Sequence, residues 1–372
     1  MKLTLDRAAL LKALAHVQSV VERRNTIPIL SNVKLEAERE ALRLTATDMD
    51  LDISEAADAD VAGTGVTTAP AHTLYEIVRK LPDGGQIEMD AADGGQQMVL
   101  RCGRSRFTLA CLPVEDFPVM TAGELPFVFR LSARELRSLI DRTRFAISTE
   151  ETRYYLNGIY LHVVAHSGSE VLRAVATDGH RLASVEVNLP EGAEGMPGVI
   201  IPRKTVGELR KLVDDGDGDI EIGVSESKIR FAAGRAVLTS KLIDGTFPDY
   251  ERVIPTGNDK TLDVGCKAFS AAVDRVSAIS SDRSRAVKMA MENGTLVLSA
   301  SSPDSGSATE ELEVKYRGDA LEIGFNSRYL LDITQQIEGE EARFSIADAS
   351  SPTILQELGD SGAIYVLMPM RV

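Results

Sequence analysis

Three stretches of the chain repeat one another at a spacing close to a third of its 372 residues. Residues 42–48, Leu-Arg-Leu-Thr-Ala-Thr-Asp, recur at 172–178 as Leu-Arg-Ala-Val-Ala-Thr-Asp, and a fainter copy occupies 296–302. Similarity at a fixed period indicates one structural unit used several times. We therefore predict three tandem domains at 1–124, 125–249 and 250–372. Each is close to the commonest domain size of roughly 100–150 residues.

The spacing of apolar residues predicts an α+β fold. Short runs that alternate apolar and polar residues are typical of strands, and they occur at 41–47, 97–102, 158–164, 220–224, 228–232 and 295–300. Asn293-Gly294 between two such runs predicts a two-residue hairpin turn. Six segments carry one apolar stripe at helical spacing, about 7–21, 70–81, 132–146, 202–213, 266–279 and 326–337. Pro70 and Pro202 suit the first turn of a helix. Two helices per domain would then pack on antiparallel sheets.

Composition indicates a reducing compartment and no membrane contact. The three cysteines, Cys102, Cys111 and Cys266, form no CxxC pair. The N-terminal residues lack the apolar core of a signal peptide. No apolar run approaches the ~18 residues that span a bilayer. We predict a cytoplasmic protein.

The distribution of charge matters more than the net charge of −15, which by itself argues against a nucleic-acid partner. The six helical segments contain 15 Lys and Arg against six acidic residues, whereas the rest contains 26 and 50. Arg203 and Lys204 begin a predicted helix, where the macrodipole disfavours cations and an external phosphate would favour them. We interpret the helices as a surface that binds DNA without reading its sequence. Lys- and Arg-rich helices that simply face water are the alternative.

Several motifs for catalysis or metal binding are incomplete. The acidic run 215–226 has calcium-loop spacing but carries Ile220 where a glycine is required. The five histidines show no metal-ligand spacing, and no GxxxxGK[ST] motif occurs. Asp178 and His180 lack an accompanying nucleophile. We expect no catalysis, cofactor or metal. A hydrolase or transferase using Asp178 and His180, and a β-rich scaffold that binds proteins but no DNA, remain as alternatives.

Longer motifs carry a resemblance to a known family. They lie at 153–158 (Arg-Tyr-Tyr-Leu-Asn-Gly), 176–182, 202–204, 240–250 and 368–371. Together they resemble the bacterial DNA polymerase III β subunit, the sliding clamp family, over the whole chain. The resemblance implies three DNA-clamp domains per chain and a head-to-tail homodimer that forms a six-domain ring around double-stranded DNA. It implies a non-catalytic processivity factor. The implied partners are the replicative polymerase catalytic subunit, the clamp loader, and other polymerases and repair proteins that carry clamp-binding peptides.

The same resemblance assigns site residues. It maps DNA contacts to Arg24, His72, Glu150, Tyr154, Tyr155, Arg203 and Lys204. His72 replaces a common arginine and Glu150 a common glutamine, so both changes weaken the attraction of phosphate. It maps a partner-peptide pocket to Leu156, Thr177, Gly179, His180, Arg181, Leu182, Pro248, Arg252, Val253, Asn326, Tyr329, Val366, Met368, Pro369, Met370 and Arg371. A buried final strand at 366–370 is the alternative for that end of the chain. The dimer contact maps to Phe107, Leu109 and Ile279, with Ser280 and Ser284 more polar than the family pattern.

Overall fold

The computed structural model describes residues 1–92, 95–121, 123–166, 168–214, 218–280, 285–359 and 362–371. Ser284 and residues 215–217 of the acidic run at 215–226 lie outside the described residues. Over the described ranges six α-helices occur, one in each predicted segment. They are α1 (Arg7–Val17), α2 (Ala71–Lys80), α3 (Ala133–Arg144), α4 (Arg203–Asp214), α5 (Cys266–Ser277) and α6 (Ser327–Thr334).

Several helix ends differ from the prediction. Helix α1 ends at Val17 rather than near residue 21. Val20 and Val21 stay buried in the turn that follows, so the apolar pattern continues after the helical backbone has stopped. Pro70 and Pro202 precede the first helical residues instead of lying in the first turn, since Pro70 is the N-cap of α2 and Pro202 ends a strand.

Twenty-six strands are found in the part of the chain that the structure describes. The N-terminal half contributes β1 (Lys2–Asp6), β2 (Asn32–Glu38), β3 (Ala41–Thr47), β4 (Leu51–Asp58), β5 (Asp60–Gly63), β6 (Gly65–Pro70), β7 (Gln86–Ala91), β8 (Gln97–Cys102), β9 (Ser105–Ala110), β10 (Phe127–Ser132), β11 (Gly158–His166), β12 (Ser169–Thr177) and β13 (Arg181–Asn188). The C-terminal half contributes β14 (Val199–Pro202), β15 (Asp219–Val224), β16 (Lys228–Ala233), β17 (Ala236–Lys241), β18 (Lys260–Gly265), β19 (Ala286–Glu292), β20 (Thr295–Ser302), β21 (Gly306–Glu313), β22 (Lys315–Arg317), β23 (Leu321–Asn326), β24 (Glu341–Ile346), β25 (Thr353–Glu357) and β26 (Ala363–Leu367). All six predicted strands are confirmed.

The hairpin predicted at Asn293-Gly294 is confirmed as well. It joins β19 to β20, and both turn residues have positive φ, 49° and 80°. That pair of backbone angles suits the right-handed twist of the flanking strands, and glycine adopts it at little cost.

The chain divides into two compact units. The first unit comprises Met1–Arg137, Pro190–Pro197 and Lys204–Leu242, and the second comprises Ser138–Leu189, Gly198–Arg203 and Ile243–Val372. The first unit contains an eight-stranded sheet, in the order β6-β2-β3-β4-β17-β16-β15-β10, and a five-stranded sheet, β5-β1-β7-β8-β9. The second contains a nine-stranded sheet, β14-β11-β12-β13-β26-β25-β24-β18-β22, and a four-stranded sheet, β21-β20-β19-β23.

The two large sheets repeat the same strand order. Strand β3, which carries the 42–48 motif, and β12, which carries the 172–178 motif, are each third from the equivalent edge. The internal repeat read from the sequence is therefore a structural repeat. Strands of the second repeat pair with those of the first repeat in one large sheet and with those of the third in the other. The boundaries at residues 124 and 249 do not separate the sheets, and they stay a prediction.

Alternating burial accounts for the strands of the core. In β3 the side chains of Leu42, Leu44 and Ala46 are fully buried and their neighbours are less so, which is the pattern of a sheet with one covered face. The three cysteines are buried and form no disulfide. Among the described helices none is long and apolar enough to cross a membrane.

Candidate functional site

A cleft of about 280 Å³ lies on the second unit and is walled mainly by apolar side chains. Its lining is Arg153, Tyr155, Leu156, Thr177, Gly179, Arg181, Leu182, Pro248, Asp249, Tyr250, Val253, Val366 and Met368. Nine of the sixteen positions predicted for a partner pocket meet here. A larger cleft of about 430 Å³ in the first unit is lined by charged groups of both signs, including Lys12, Glu55 and Arg235, and by none of the recognised motifs.

The floor of this cleft, the docking pocket from here on, is formed by one face of β12, β13 and β26, and the same face continues across β11 and β14. Antiparallel register places Leu182 opposite Val366, and Tyr160 opposite both Val175 and Ile200. Directly opposed residues project from the same face of a sheet, so these side chains form one apolar layer. Leu156, Phe247 and Tyr250 complete the cluster. The layer explains why β12 is buried on both faces from Leu172 onward.

The turn between β12 and β13 forms one rim of the docking pocket. The Asp178 carboxylate accepts hydrogen bonds from the backbone N–H groups of His180 and Arg181, at 2.9 and 3.0 Å. Gly179 has φ of +89°, and a Cβ there would lie 2.7 Å from Nη1 of Arg153. The positive φ makes any other residue strained at this position, and a Cβ there would also displace the guanidinium of Arg153. The Asp178 carboxylate is thus occupied by its own turn and by the Arg181 side chain.

Arg181 joins the rim to helix α6. Its Nη1 donates to Asp332 at 2.6 Å, and its guanidinium carbon lies 4.2 Å from the centre of the Tyr329 ring. Its Nη2 also donates to the carbonyl of Phe145 at 2.5 Å. Only about 9% of its surface is exposed. Tyr329, predicted as a pocket residue, therefore packs on Arg181 instead of lining the cleft.

The C-terminal residues contribute both a buried strand and an open edge. Val366 belongs to β26 and is 2% exposed, whereas Met368 lies past the strand end and is 40% exposed. The Met368 N–H donates to the His180 carbonyl at 2.9 Å, and the Met370 N–H donates to the Gly324 carbonyl at 2.8 Å. The alternative of a buried final strand holds for Val366 but not for Met368. Thioether side chains adapt to varied partners, which suits an exposed rim position.

Some predicted pocket residues do not line the cleft, and four residues that do line it were not assigned to the pocket. The predicted residues outside the lining are His180, Arg252, Asn326, Tyr329, Pro369, Met370 and Arg371. Arg252 instead pairs with Asp249 at 2.6 Å, and Asn326 caps helix α6. Arg153, Tyr155, Asp249 and Tyr250 are the additional lining residues. Their signal was present, since Arg153, Tyr155 and Tyr250 belong to the recognised motifs.

The equivalent face of the first unit is polar. By sheet register the positions of Tyr160, Val175, Leu182, Ile200 and Val366 are taken there by Lys34, Thr45, Asp52, Thr68 and Thr239. Burial raises the pKa of Asp52 to about 6, although the positive charge of Lys34 opposes this shift. Desolvation of the Asp52 carboxylate thus costs free energy. The equivalent position of the second unit is Leu182, which forms part of the apolar floor. The same backbone arrangement consequently yields an apolar docking pocket only where the side chains are apolar.

Replacing Asp52 by asparagine is expected to stabilise the first unit at neutral pH. The folded-state pKa of Asp52, about 6, exceeds the ordinary aspartate pKa of 3.8, so the folded state binds this proton more tightly than the unfolded state. The carboxylate therefore lowers the free energy of unfolding as the pH rises from about 4 to about 6. Discounting for partial solvent access, Asp52→Asn should gain about 1–2 kcal/mol at pH 7.5. Urea unfolding at pH 7.5 and 4.5 checks this, and an equal gain at both values would contradict it.

The residues predicted to contact DNA differ in how far they are engaged within the chain. Arg24 and Arg203 are exposed, and neither forms an ion pair with any residue that the structure describes. Lys204 is already bound, because its Nζ donates to Asp48 at 2.5 Å and to Glu22 at 3.2 Å. Burial alone would lower the pKa of Lys204, but these two carboxylates outweigh it and leave the pKa above its usual value. Ion pairs within the chain therefore account for Lys204 at the start of α4, whereas an external phosphate would account for Arg203.

The other four residues predicted to contact DNA also differ in their contacts within the chain. Both ring nitrogens of His72 are engaged, Nδ1 with the Gln18 side chain at 2.8 Å and Nε2 with the Val21 carbonyl at 2.9 Å. Glu150 accepts a hydrogen bond from Arg153 at 2.7 Å, which lowers the pKa of its carboxyl. Tyr154 is 53% exposed and packs edge-on against Tyr155, which turns toward the docking pocket.

Many helical cations are paired within the chain. Examples are the pairs of Arg79 with Glu76 at 2.8 Å and of Arg275 with Glu310 at 2.5 Å. Of the helical lysines and arginines that the structure describes, Arg134, Arg203 and Lys267 are exposed and make no ion pair. The predicted basic surface therefore has fewer unpaired charges than the residue count suggested.

Two sheet edges carry opposite charge. Strand β9 is the last strand of the five-stranded sheet, with Arg104 and Arg106 exposed beside it. Strand β21 is the last strand of the four-stranded sheet, with Glu311 and Glu313 exposed. Each edge presents backbone hydrogen-bonding groups to a further strand. Of the predicted dimer residues, Phe107 and Leu109 lie on β9, and Ile279 follows helix α5 together with Ser280. Leu109 is already buried in the single chain, with 7% of its surface exposed.

Family models, related sequences and a solved structure match this chain over its length. Family models of the DNA polymerase III beta subunit match residues 1–121 (N-terminal domain), 130–249 (central domain) and 251–371 (C-terminal domain). The beta sliding clamp of Caulobacter vibrioides is 55% identical over 372 residues, and that of Escherichia coli K12 is 37% identical over 375, each with 100% of both chains covered. A crystal structure of a DnaN sliding clamp from Bartonella birtlesii bound to griselimycin superposes with a TM-score of 0.97 at 53% identity, covering 100% of both chains.

Proposed function

The chain belongs to the DNA polymerase III beta subunit family, and from that premise we propose how its own residues act. It is a DNA polymerase processivity factor of the sliding clamp type and a non-catalytic subunit. Tethering raises the effective concentration of a polymerase at the primer end, so processivity requires binding surfaces and no chemistry.

We infer that the docking pocket receives short peptide segments of replication and repair proteins. The observation that supports this is the apolar floor, because Leu182, Val366 and Tyr250 leave an apolar surface open beside the exposed Met368. A cleft of this kind accepts an apolar anchor side chain, and burial of such an anchor commonly dominates peptide affinity. The partners proposed are the replicative polymerase catalytic subunit, the clamp loader, and other polymerases and repair proteins. The compartment proposed is the cytoplasm, where these partners work on the chromosome.

A head-to-tail homodimer is the proposed assembly, and two such chains would close a six-domain ring around duplex DNA. Support comes from the sheet edges, since the basic edge at β9 and the acidic edge at β21 are complementary in charge and in backbone hydrogen bonding. An interface between two different surfaces closes into a ring when its rotation permits. The three domains proposed for each chain keep the boundaries 1–124, 125–249 and 250–372.

DNA contact in this proposal is weak and independent of sequence. Arg24, Arg203 and Tyr154 are exposed and are assigned as direct contacts. Lys204, His72 and Glu150 are assigned supporting positions, because each is bound within the chain. Few direct contacts suit a ring that must move along DNA without pausing, since each phosphate contact adds to the electrostatic cost of leaving a site.

The central experiment compares retention on closed and open DNA. The clamp is loaded onto nicked circular DNA by its loader and isolated by gel filtration, and half of the sample is then linearised with a restriction enzyme. Retention on the circle and release from the linear form is the expected result, because a ring held by topology leaves at free ends. Equal retention on both forms would favour a scaffold that binds by contact alone.

Substituting the exposed cations tests the direct contacts separately. Arg24→Glu with Arg203→Glu is expected to lower loading about tenfold at 150 mM salt and to reduce the salt dependence of binding by about two counterions. Arg317→Glu, on the short strand β22 away from the predicted set, is the matched control. Unchanged loading of the double variant would remove Arg24 and Arg203 from the DNA surface.

A further inference from the structure

A buried guanidinium lies behind the docking pocket and does not line it. Arg173, on β12, is about 9% exposed. Its Nη1 donates to the Tyr250 hydroxyl at 2.7 Å and to the Glu251 carboxylate at 2.9 Å, and its Nε donates to Glu186 at 2.7 Å. Charge-assisted bonds of this kind are short and directional. One side chain thereby joins the sheet to two consecutive residues of the segment that carries Pro248, Asp249 and Val253.

Stacked rings fix the same segment from the other side. The Phe247 ring stacks on Tyr160 at 4.8 Å with an interplanar angle of 7°, and Tyr160 stacks on His162 at 4.3 Å with an angle of 18°. Tyr250 meets Phe247 edge-on at 6.4 Å. The Tyr250 ring is therefore clamped between the stack and Arg173, and it forms part of the pocket floor.

His162 completes the hydrogen bonding of the Tyr250 hydroxyl. Its Nε2 lies 2.9 Å from that oxygen. Burial, reinforced by the positive charge of Arg173, lowers the pKa of His162 to about 4, so the ring is neutral at pH 7. Because Arg173 donates to the Tyr250 oxygen, the Tyr250 O–H is free to donate a hydrogen bond to a neutral Nε2, which gives the hydroxyl one donor and one acceptor as partners. Among the described atoms Nδ1 of His162 has no partner, so this arrangement is retained at some cost in stability.

We propose that Arg173 is a positioning residue of the docking pocket, which holds Tyr250 and the 248–253 segment in the peptide-binding arrangement. The inference rests on the proposed function of that pocket. A floor that is ordered before binding saves the entropy of ordering it at the moment of binding. Arg173 itself lies outside the lining, and its influence on affinity therefore passes through Tyr250 and Glu251.

A double-mutant cycle on peptide affinity tests this coupling. The full-length protein is titrated against a fluorescein-labelled clamp-binding peptide of the replicative polymerase catalytic subunit, using fluorescence anisotropy. Arg173→Met is expected to weaken binding about tenfold to thirtyfold, and Tyr250→Phe about fivefold. The double variant should bind no more weakly than Arg173→Met, because both changes remove the same constraint. Arg173→Lys should restore part of the affinity through a single donor.

Two control variants and two contrary outcomes complete the test. Tyr250→Phe keeps every ion pair of Arg173 and remains informative if Arg173→Met does not fold. Arg343→Met removes a different arginine–carboxylate pair of the same unit, with Asp263 at 2.6 Å, and should leave peptide affinity unchanged at a comparable melting temperature. Fully additive effects, or an unchanged affinity in Arg173→Met, would overturn the inference and leave the proposed function intact. Failure of the wild-type protein to bind the peptide would overturn the proposed function instead.

Discussion

Deleting residues 368–372 is expected to abolish stimulation of the polymerase while leaving the clamp able to dimerise and to load onto DNA. The deletion removes Met368 from the rim of the docking pocket and the 2.8 Å hydrogen bond from Met370 to Gly324. It leaves β26, which ends at Leu367, and with it the buried floor residue Val366. Losing one wall of the pocket should weaken peptide affinity by about fiftyfold or more, a magnitude typical of a lost hot-spot contact.

Primer extension on a long single-stranded template measures this effect, and sedimentation of the same sample reports the dimer. Met368→Ala is the milder variant and should lose part of the stimulation. Leu358→Ala serves as its control, because Leu358 is an equally exposed apolar residue, 40% exposed like Met368, outside the pocket lining. Full stimulation by the truncated protein would show that peptides dock elsewhere.

Reversing the charge of the β9 edge is expected to split the dimer. In Arg104→Glu with Arg106→Glu, each change replaces an exposed attraction worth up to ~1 kcal/mol with a repulsion of similar size. The dimer dissociation constant should then rise about a hundredfold, which corresponds to roughly 2.8 kcal/mol. Analytical ultracentrifugation over a dilution series measures the shift directly.

A compensating variant makes this test specific. Glu311→Arg with Glu313→Arg reverses the β21 edge and should also fail to self-associate. Mixing the two variants is expected to recover both interfaces and yield a closed heterodimer, since each edge of one variant then meets an edge of opposite charge on the other. Raising the salt concentration should weaken the wild-type dimer in the same direction, because exposed charges are screened. Failure of the mixed variants to associate would count against pairing of β9 with β21.

Much of the fold was predictable because its signals are local or repeated. The six helices and the Asn293-Gly294 hairpin follow from spacing and turn chemistry, and the structure contains all of them. The end of α1 was predicted too late, since burial of Val20 and Val21 continues past the helix. The partition of strands among sheets could not be predicted, because strands of one repeat pair with those of the next through contacts far apart in the chain.

The docking pocket was predictable only in part. Motif positions such as Leu182 and Met368 do meet at the cleft, but Tyr329 is turned onto Arg181 and Asn326 serves as a helix cap. Arg173 lies in the internal repeat but in none of the family motifs, and only the tertiary structure shows its bonds to Tyr250 and Glu251. Likewise, a count of helical cations could not reveal that Lys204 is already paired with Asp48.

The sequence by itself determined the repeated α+β architecture, the family, and the set of residues from which the functional surfaces are drawn. It could do so because periodicity, turn residues and motif order are properties of neighbours along the chain. The tertiary structure alone decided which of two similar sheet faces forms a docking pocket and which cations remain unpaired. Those outcomes depend on cross-strand register and on the burial of individual groups, such as Asp52 in one sheet and Leu182 in the other, and neither is fixed by local sequence.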